Sequence, residues 1–86
     1  MPEISRFFGI VITMYYNDHG LPHFHAKYGS HKAKILVETG AIVEGALPRR
    51  AHRLVEEWRA MHRSDLLGVW QQVMDRQPHG KIEPLE

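Results

Sequence analysis

Residues from Phe7 to Tyr16 are β-branched, aromatic or otherwise apolar, with Gly9 the one glycine among them. Both alternating sets, Phe7/Val11/Tyr15 and Phe8/Ile10/Ile12/Met14/Tyr16, are hydrophobic. A strand apolar on both faces is expected near the centre of a sheet. Asn17-Asp18-His19-Gly20-Leu21-Pro22 concentrates turn formers and predicts a reversal. His23 to Tyr28 then reads as a second strand, and Gly29-Ser30 has the length and chemistry of a two-residue hairpin loop. Counting outward from that loop sets Tyr28 opposite His31, Lys27 opposite Lys32, Ala26 opposite Ala33, His25 opposite Lys34 and Phe24 opposite Ile35. Apolar residues meet apolar ones and polar meet polar, whereas a slip by one residue would turn each set to the wrong face. The like-charge pair Lys27/Lys32 is the weak point of this register.

Thr39-Gly40 marks a further turn, after which Ala41 to Glu44 can return as a short strand with Ile42 opposite Val37. From Arg49 the period becomes helical. Ala51, Leu54, Val55, Trp58 and Met61 form one stripe, and Pro48 suits the first turn. The chain is expected to break near Arg63, with Ser64 or Asp65 capping a second helix striped by Leu66, Leu67, Trp70, Val73 and Met74. The pattern predicts an α+β fold: an antiparallel sheet of three to four strands in the N-terminal half, packed by a C-terminal helical hairpin. Lys81 to Glu86 reads equally as a frayed tail or an edge strand.

With 86 residues, one domain spanning 1–86 and one core are expected. So short a chain buries only about 60–65% of its unfolded surface. Its lack of cysteine rules out disulfides and suits a reducing compartment. A homodimer is the simplest substitute for a staple. The Phe7–Tyr16 run is shorter than the roughly 20 residues a membrane span needs, and its flanks do not resemble a signal peptide. No membrane partner and a cytoplasmic location are therefore expected. The net charge of +1 is far from that of a strongly basic nucleic-acid binder, which leaves any such role to local patches.

The densest group of chemically capable residues is Asn17 to Ala26. On a strand, His23 and His25 point the same way about 6.6 Å apart, near enough for both imidazoles to reach one divalent metal such as zinc. Asp18 or His19 could complete the set, although zinc needs three or four ligands and Lys34 beside His25 opposes a cation. Cupin metal sites and histidine-triad hydrolases share part of the pattern. The first needs a larger barrel and a second histidine motif, and the second has a histidine where Lys27 stands. No cysteine is present, and no serine lies in a nucleophile-elbow context. In the plainer reading the two rings pack on the sheet and hydrogen-bond to the preceding turn. Tyr15 or Tyr16 could reach His23 or Asp18, or simply pack.

The hairpin register also places Lys27, Lys32 and Lys34 with His23 and His25 on the face away from Phe24, Ala26, Ile35 and Val37, which makes that face locally basic. Arg49, Arg50 and Arg53 open the first helix, where an anion would relieve cations opposing the dipole. The plainer reading makes them solvated, with Arg53 reaching Glu56 or Glu57. Trp58 and Trp70 read as core.

Pro2-Glu3-Ile4-Ser5-Arg6-Phe7-Phe8-Gly9-Ile10, Met14-Tyr15-Tyr16-Asn17-Asp18-His19, Pro22-His23-Phe24-His25-Ala26-Lys27-Tyr28, Leu47-Pro48-Arg49-Arg50-Ala51 and Lys81-Ile82-Glu83-Pro84-Leu85 together resemble a bacterial family, domain-of-unknown-function family four-one-six-zero. The likeness covers nearly the whole chain, and Leu21 stands where the family commonly has a proline. It implies no assigned activity. It does imply a small protein partner from an adjacent gene, family two-four-four-two, in an arrangement similar to toxin–antitoxin modules, with RNA or DNA as a target. Three functions follow as expectations: a binding module engaging that partner or nucleic acid through His23, His25 and Lys34 or through Arg49 and Arg50; a metal- or histidine-assisted phosphodiesterase acting on RNA, built on Asp18, His19, His23 and His25; or a structural homodimer subunit joined through its first strand.

Overall fold

A computed structural model describes residues 3–86; Pro2 of the opening motif lies outside the described residues. The elements run β1 (Glu3–Phe7), β2 (Ile10–Thr13), β3 (His23–Tyr28), β4 (His31–Leu36), β5 (Ile42–Gly45), α1 (Arg49–Met61) and α2 (Arg63–Met74). All strand pairings are antiparallel and the sheet order is that of the chain, β1-β2-β3-β4-β5. The fold is α+β, with a five-stranded sheet followed by two helices.

The expected first strand is in fact two. The chain reverses at Phe8-Gly9, both with positive φ, 49° and 81°. That is the backbone of a two-residue hairpin turn whose twist matches the flanking strands. The turn is masked because Phe8 brings a large apolar side chain to it, half exposed to solvent. Sheet count therefore rises from three or four strands to five, and the doubly apolar run is not an unpaired surface. β2 is paired on both sides. Along it Ile10, Ile12 and Met14 face the core.

The β3–β4 register is the expected one at every position, from Tyr28↔His31 to Phe24↔Ile35. β5 departs: Ile42 pairs with Ile35 across an irregularity between Lys34 and Ile35, while the Val37 amide donates to Pro22 O. The free edge of β1 is met by the C-terminal tail. Ile82 N donates to Ile4 O, and Ile82 and Leu85 are buried. The tail is thus ordered against the sheet without forming a strand.

The helices pack on one face. Trp58 lies 5.3 Å from Phe7 and 5.8 Å from Phe24, ring to ring, and its indole N–H donates to Glu83 O. Both tryptophans are core residues, as expected, but Met61 is largely exposed and Val69 takes a buried place in α2. α1 and α2 meet at the single residue His62 (φ −116°, ψ 22°). Ser64 and Asp65 fall inside the first turn of α2, and neither caps it through its side chain. Glu56 pairs with Arg59 rather than Arg53. Arg59, buried in α1, also donates to Val37 O and so ties the helix to the end of β4. Among the described residues no helix is long and apolar enough to cross a membrane.

Candidate functional site

The turn after β2 closes when Asp18 N donates to Tyr15 O, which carries the Asp18 carboxylate back toward the start of β3. There His23 and His25, two residues apart on a strand, project from the same face. Their rings lie 5.4 Å apart at 75°. Asp18 Oδ2 stands 3.1 Å from His25 Nε2 and 3.2 Å from His23 Nε2. The first contact is a hydrogen bond; the second is not, and His23 Nε2 has no hydrogen-bond partner. His23 Nδ1 lies 2.9 Å from Leu21 O. Asp18, His23 and His25 each offer one ligand atom, all within 4.8 Å of one another.

Accessibility differs between the two rings. His23 is 2% exposed because Trp70 of α2 packs on its ring, with centroids 4.9 Å apart. His25 remains a third exposed, with Tyr15 edge-on at 5.0 Å. The plainer sequence reading is thus met in part: the His23 ring does bond to the preceding turn, through one nitrogen only. Tyr15 packs, and Tyr16 is exposed under Arg76. His19 is exposed and stands outside the cluster.

On the face opposite the helices the sheet forms an open trough of about 580 Å³. His25, Tyr15 and Thr13 line one part of it, and Lys27, Lys32 and Lys34 another. Lys34, cross-strand from His25, has its ammonium 3.9 Å from Glu44 Oε2. Arg6 is held by Glu3 at 2.8 Å, and this hydrogen bond keeps the Glu3 carboxyl below its usual range. Lys27 and Lys32 are exposed, directly opposite one another, and have no ion-pair partner among the described residues. Arg49 and Arg50 are exposed at the start of α1 and line neither the trough nor the Asp–His cluster.

Arg6, Thr13 and Trp70 are the site neighbours that sequence reasoning missed. Reading Phe8-Gly9 as a turn would have found Arg6, since it places Arg6 opposite Val11, itself opposite Lys27. Nothing in local pattern signals that Trp70 covers His23.

A five-stranded antiparallel meander with two helices on one face defines the class as a small α+β domain, and an Asp–His cluster beside an open, lysine-bearing trough is its candidate site. The chain belongs to the family described as domain of unknown function DUF4160, whose sequence profile matches residues 9–71. That span holds Asp18, His23, His25 and the trough lysines. No curated protein and no solved structure matches the chain.

Proposed function

We propose that this domain is a binding module that seats single-stranded nucleic acid in the open trough of its sheet. The carrying observation is the Lys27–Lys32 pair. Two like charges directly opposite on a sheet cost stability, on the order of 0.2–1 kcal/mol, and no carboxylate among the described residues offsets them. A phosphate lying between them reverses the sign of that interaction. His25/Lys34 and Lys27/Lys32 are successive rungs on this face, about 6.6 Å apart along the strand, a spacing that lets an extended strand be held at more than one phosphate. Tyr15 and His25 add aromatic surface beside the cations, the combination that single-strand binders use for backbone and bases.

The competing occupant is the small partner protein from an adjacent gene, with an acidic segment in place of the phosphates. Fluorescence anisotropy with a labelled single-stranded RNA separates them, using wild type and a Lys27→Glu/Lys32→Glu double variant. We expect the double variant to bind at least tenfold more weakly. Equal binding by both proteins, or no RNA binding together with co-elution of the adjacent-gene product that the double variant abolishes, overturns the nucleic-acid reading. A second activity, phosphodiester hydrolysis of the bound strand, is favoured by the place of His25 in both the trough and the Asp–His cluster. Water would form the new P–O bond as the ester P–O bond breaks and the leaving oxygen takes a proton. Intact RNA, unchanged with or without chelator, removes that activity and leaves the binding reading standing.

A further inference from the structure

The geometry points to a divalent transition-metal site formed by Asp18, His23 and His25, and this inference stands whether or not nucleic acid occupies the trough. It begins with the proton on His23. Leu21 O can only accept, so the ring nitrogen 2.9 Å away, Nδ1, carries the hydrogen. In the neutral ring Nε2 is then a bare lone pair. That atom is buried without a hydrogen-bond partner, and its neighbour at 3.2 Å is the acceptor oxygen of Asp18. Two acceptor atoms 3.2 Å apart, one of them buried away from water, are an unfavourable pair. A cation between them removes the conflict, and both atoms then become ligands; His25 Nε2, which donates its proton to Asp18 Oδ2 in the ion-free hydrogen bond, gives that proton up when it coordinates.

Ligand atoms 2.0–2.2 Å from zinc stand roughly 3.3–3.6 Å from each other at the tetrahedral angle; the two carboxylate–imidazole distances here, 3.1 and 3.2 Å, are slightly shorter, and the three ligand atoms span up to 4.8 Å, so an ion would draw the two imidazoles together. The supporting shell is that of a metal-bound histidine, whose second ring nitrogen ordinarily donates to a carbonyl or carboxylate and so fixes the tautomer. Leu21 O does this for His23. Trp70 holds the ring from the side, which pre-orients it and keeps the local dielectric low. Two imidazoles and one carboxylate favour zinc or another first-row divalent ion over calcium or magnesium, which prefer oxygen ligands. Three protein ligands leave a coordination position for water or a substrate oxygen, as in open rather than structural zinc sites. Lys34, cross-strand from His25, opposes an ion, and its 3.9 Å pairing with the exposed Glu44 carboxylate offsets part of that repulsion.

The test uses untagged full-length protein, dialysed and then titrated with Zn²⁺ and Co²⁺ by calorimetry, with Co²⁺ absorption reporting the ligand field. One ion per chain is expected, together with a chelator-reversible rise in melting temperature. Asp18→Asn and His25→Gln, both at partly exposed positions, should retain the fold by circular dichroism while weakening the metal at least tenfold. His23→Gln should do the same or more. Lys34→Met, which removes the cation opposite His25, should tighten binding severalfold, and Glu44→Gln, which leaves that cation unpaired, should loosen it. No uptake of either ion by the folded wild type overturns the site. So does unaltered affinity in the folded Asp18 and His25 variants.

Discussion

Glu56 and Arg59 show how one pair of side chains can hold two parts of the fold together. Arg59 donates through Nε and Nη2 to the Glu56 carboxylate and through Nη1 to Val37 O, so its guanidinium joins α1 to the end of β4. Gly40 makes room for the pair, since a Cβ there would lie 2.3 Å from Glu56 Oε2, and its φ of +79° already favours glycine. The hydrogen bonds from Arg59 hold the Glu56 carboxyl below its usual range. A carboxylate with a lower pKa folded than unfolded adds stability that is complete above the unfolded value, near 4.3, and is lost as pH falls through the folded one. Glu56→Gln should therefore lower the melting temperature by a constant amount above about pH 5.5, with the deficit shrinking below about pH 4.3. Glu56 is partly exposed, so the plateau corresponds to roughly 1 kcal/mol or less. A deficit that stays flat to pH 3 would show that the pair contributes nothing through its charge. None of this was legible beforehand: spacing set Arg53 against Glu56 or Glu57, and it is the tertiary burial of Arg59 that brings Glu56 to Arg59 instead. At His23 and His25, by contrast, period-two geometry was enough to put both rings on one face.

Among the elements, legibility followed the turns. Gly29-Ser30 sits between two polar-apolar alternations, so the β3–β4 register could be counted residue by residue, and every counted pair is present. Phe8-Gly9 is as tight a turn, yet it lies inside an apolar run where alternation carries no sign, and one strand was read where two exist. The β5 pairing was misread for a related reason, since the irregularity between Lys34 and Ile35 shifts Ile42 from Val37 to Ile35. The tail gave no period at all. Its order comes from contacts distant in sequence: Ile82 N to Ile4 O, the Trp58 indole to Glu83 O, and burial of Ile82 and Leu85. Each buried aliphatic side chain is worth about 1.5–3 kcal/mol, so a chain truncated after Gly80 should lose about 3–5 kcal/mol, much of the stability a domain of this size has. Urea unfolding would read this as a lower midpoint, and Ile82→Ala should cost about 2–3 kcal/mol alone. An unchanged midpoint in the truncated chain would mean that the tail merely rests on β1.

At the scale of the whole molecule the charge is nearly balanced, +1 in total, so no broad field draws an anion to the surface. Any affinity for nucleic acid must arise where cations are left uncompensated. The paired charges of the trough, Arg6 with Glu3 and Lys34 with Glu44, contribute little net attraction; Lys27 and Lys32 contribute most. Binding to single strands releases counterions in proportion to the phosphates neutralised, with a slope of log K against log salt of about −0.7 per contact. The one phosphate held between Lys27 and Lys32 predicts a slope near −0.7 for RNA, falling toward zero in the Lys27→Gln/Lys32→Gln variant. Arg49 and Arg50, which lie outside the trough, provide the control: Arg49→Gln/Arg50→Gln should leave the slope unchanged. If the arginine variant flattens the slope and the lysine variant does not, the α1 corner is the binding surface and the open face of the sheet is ordinary solvated exterior. Both patches were visible in the sequence as charge clusters. Strand register and the two ion pairs are what separate them, because these decide which cations on the folded surface have no neighbour of opposite sign.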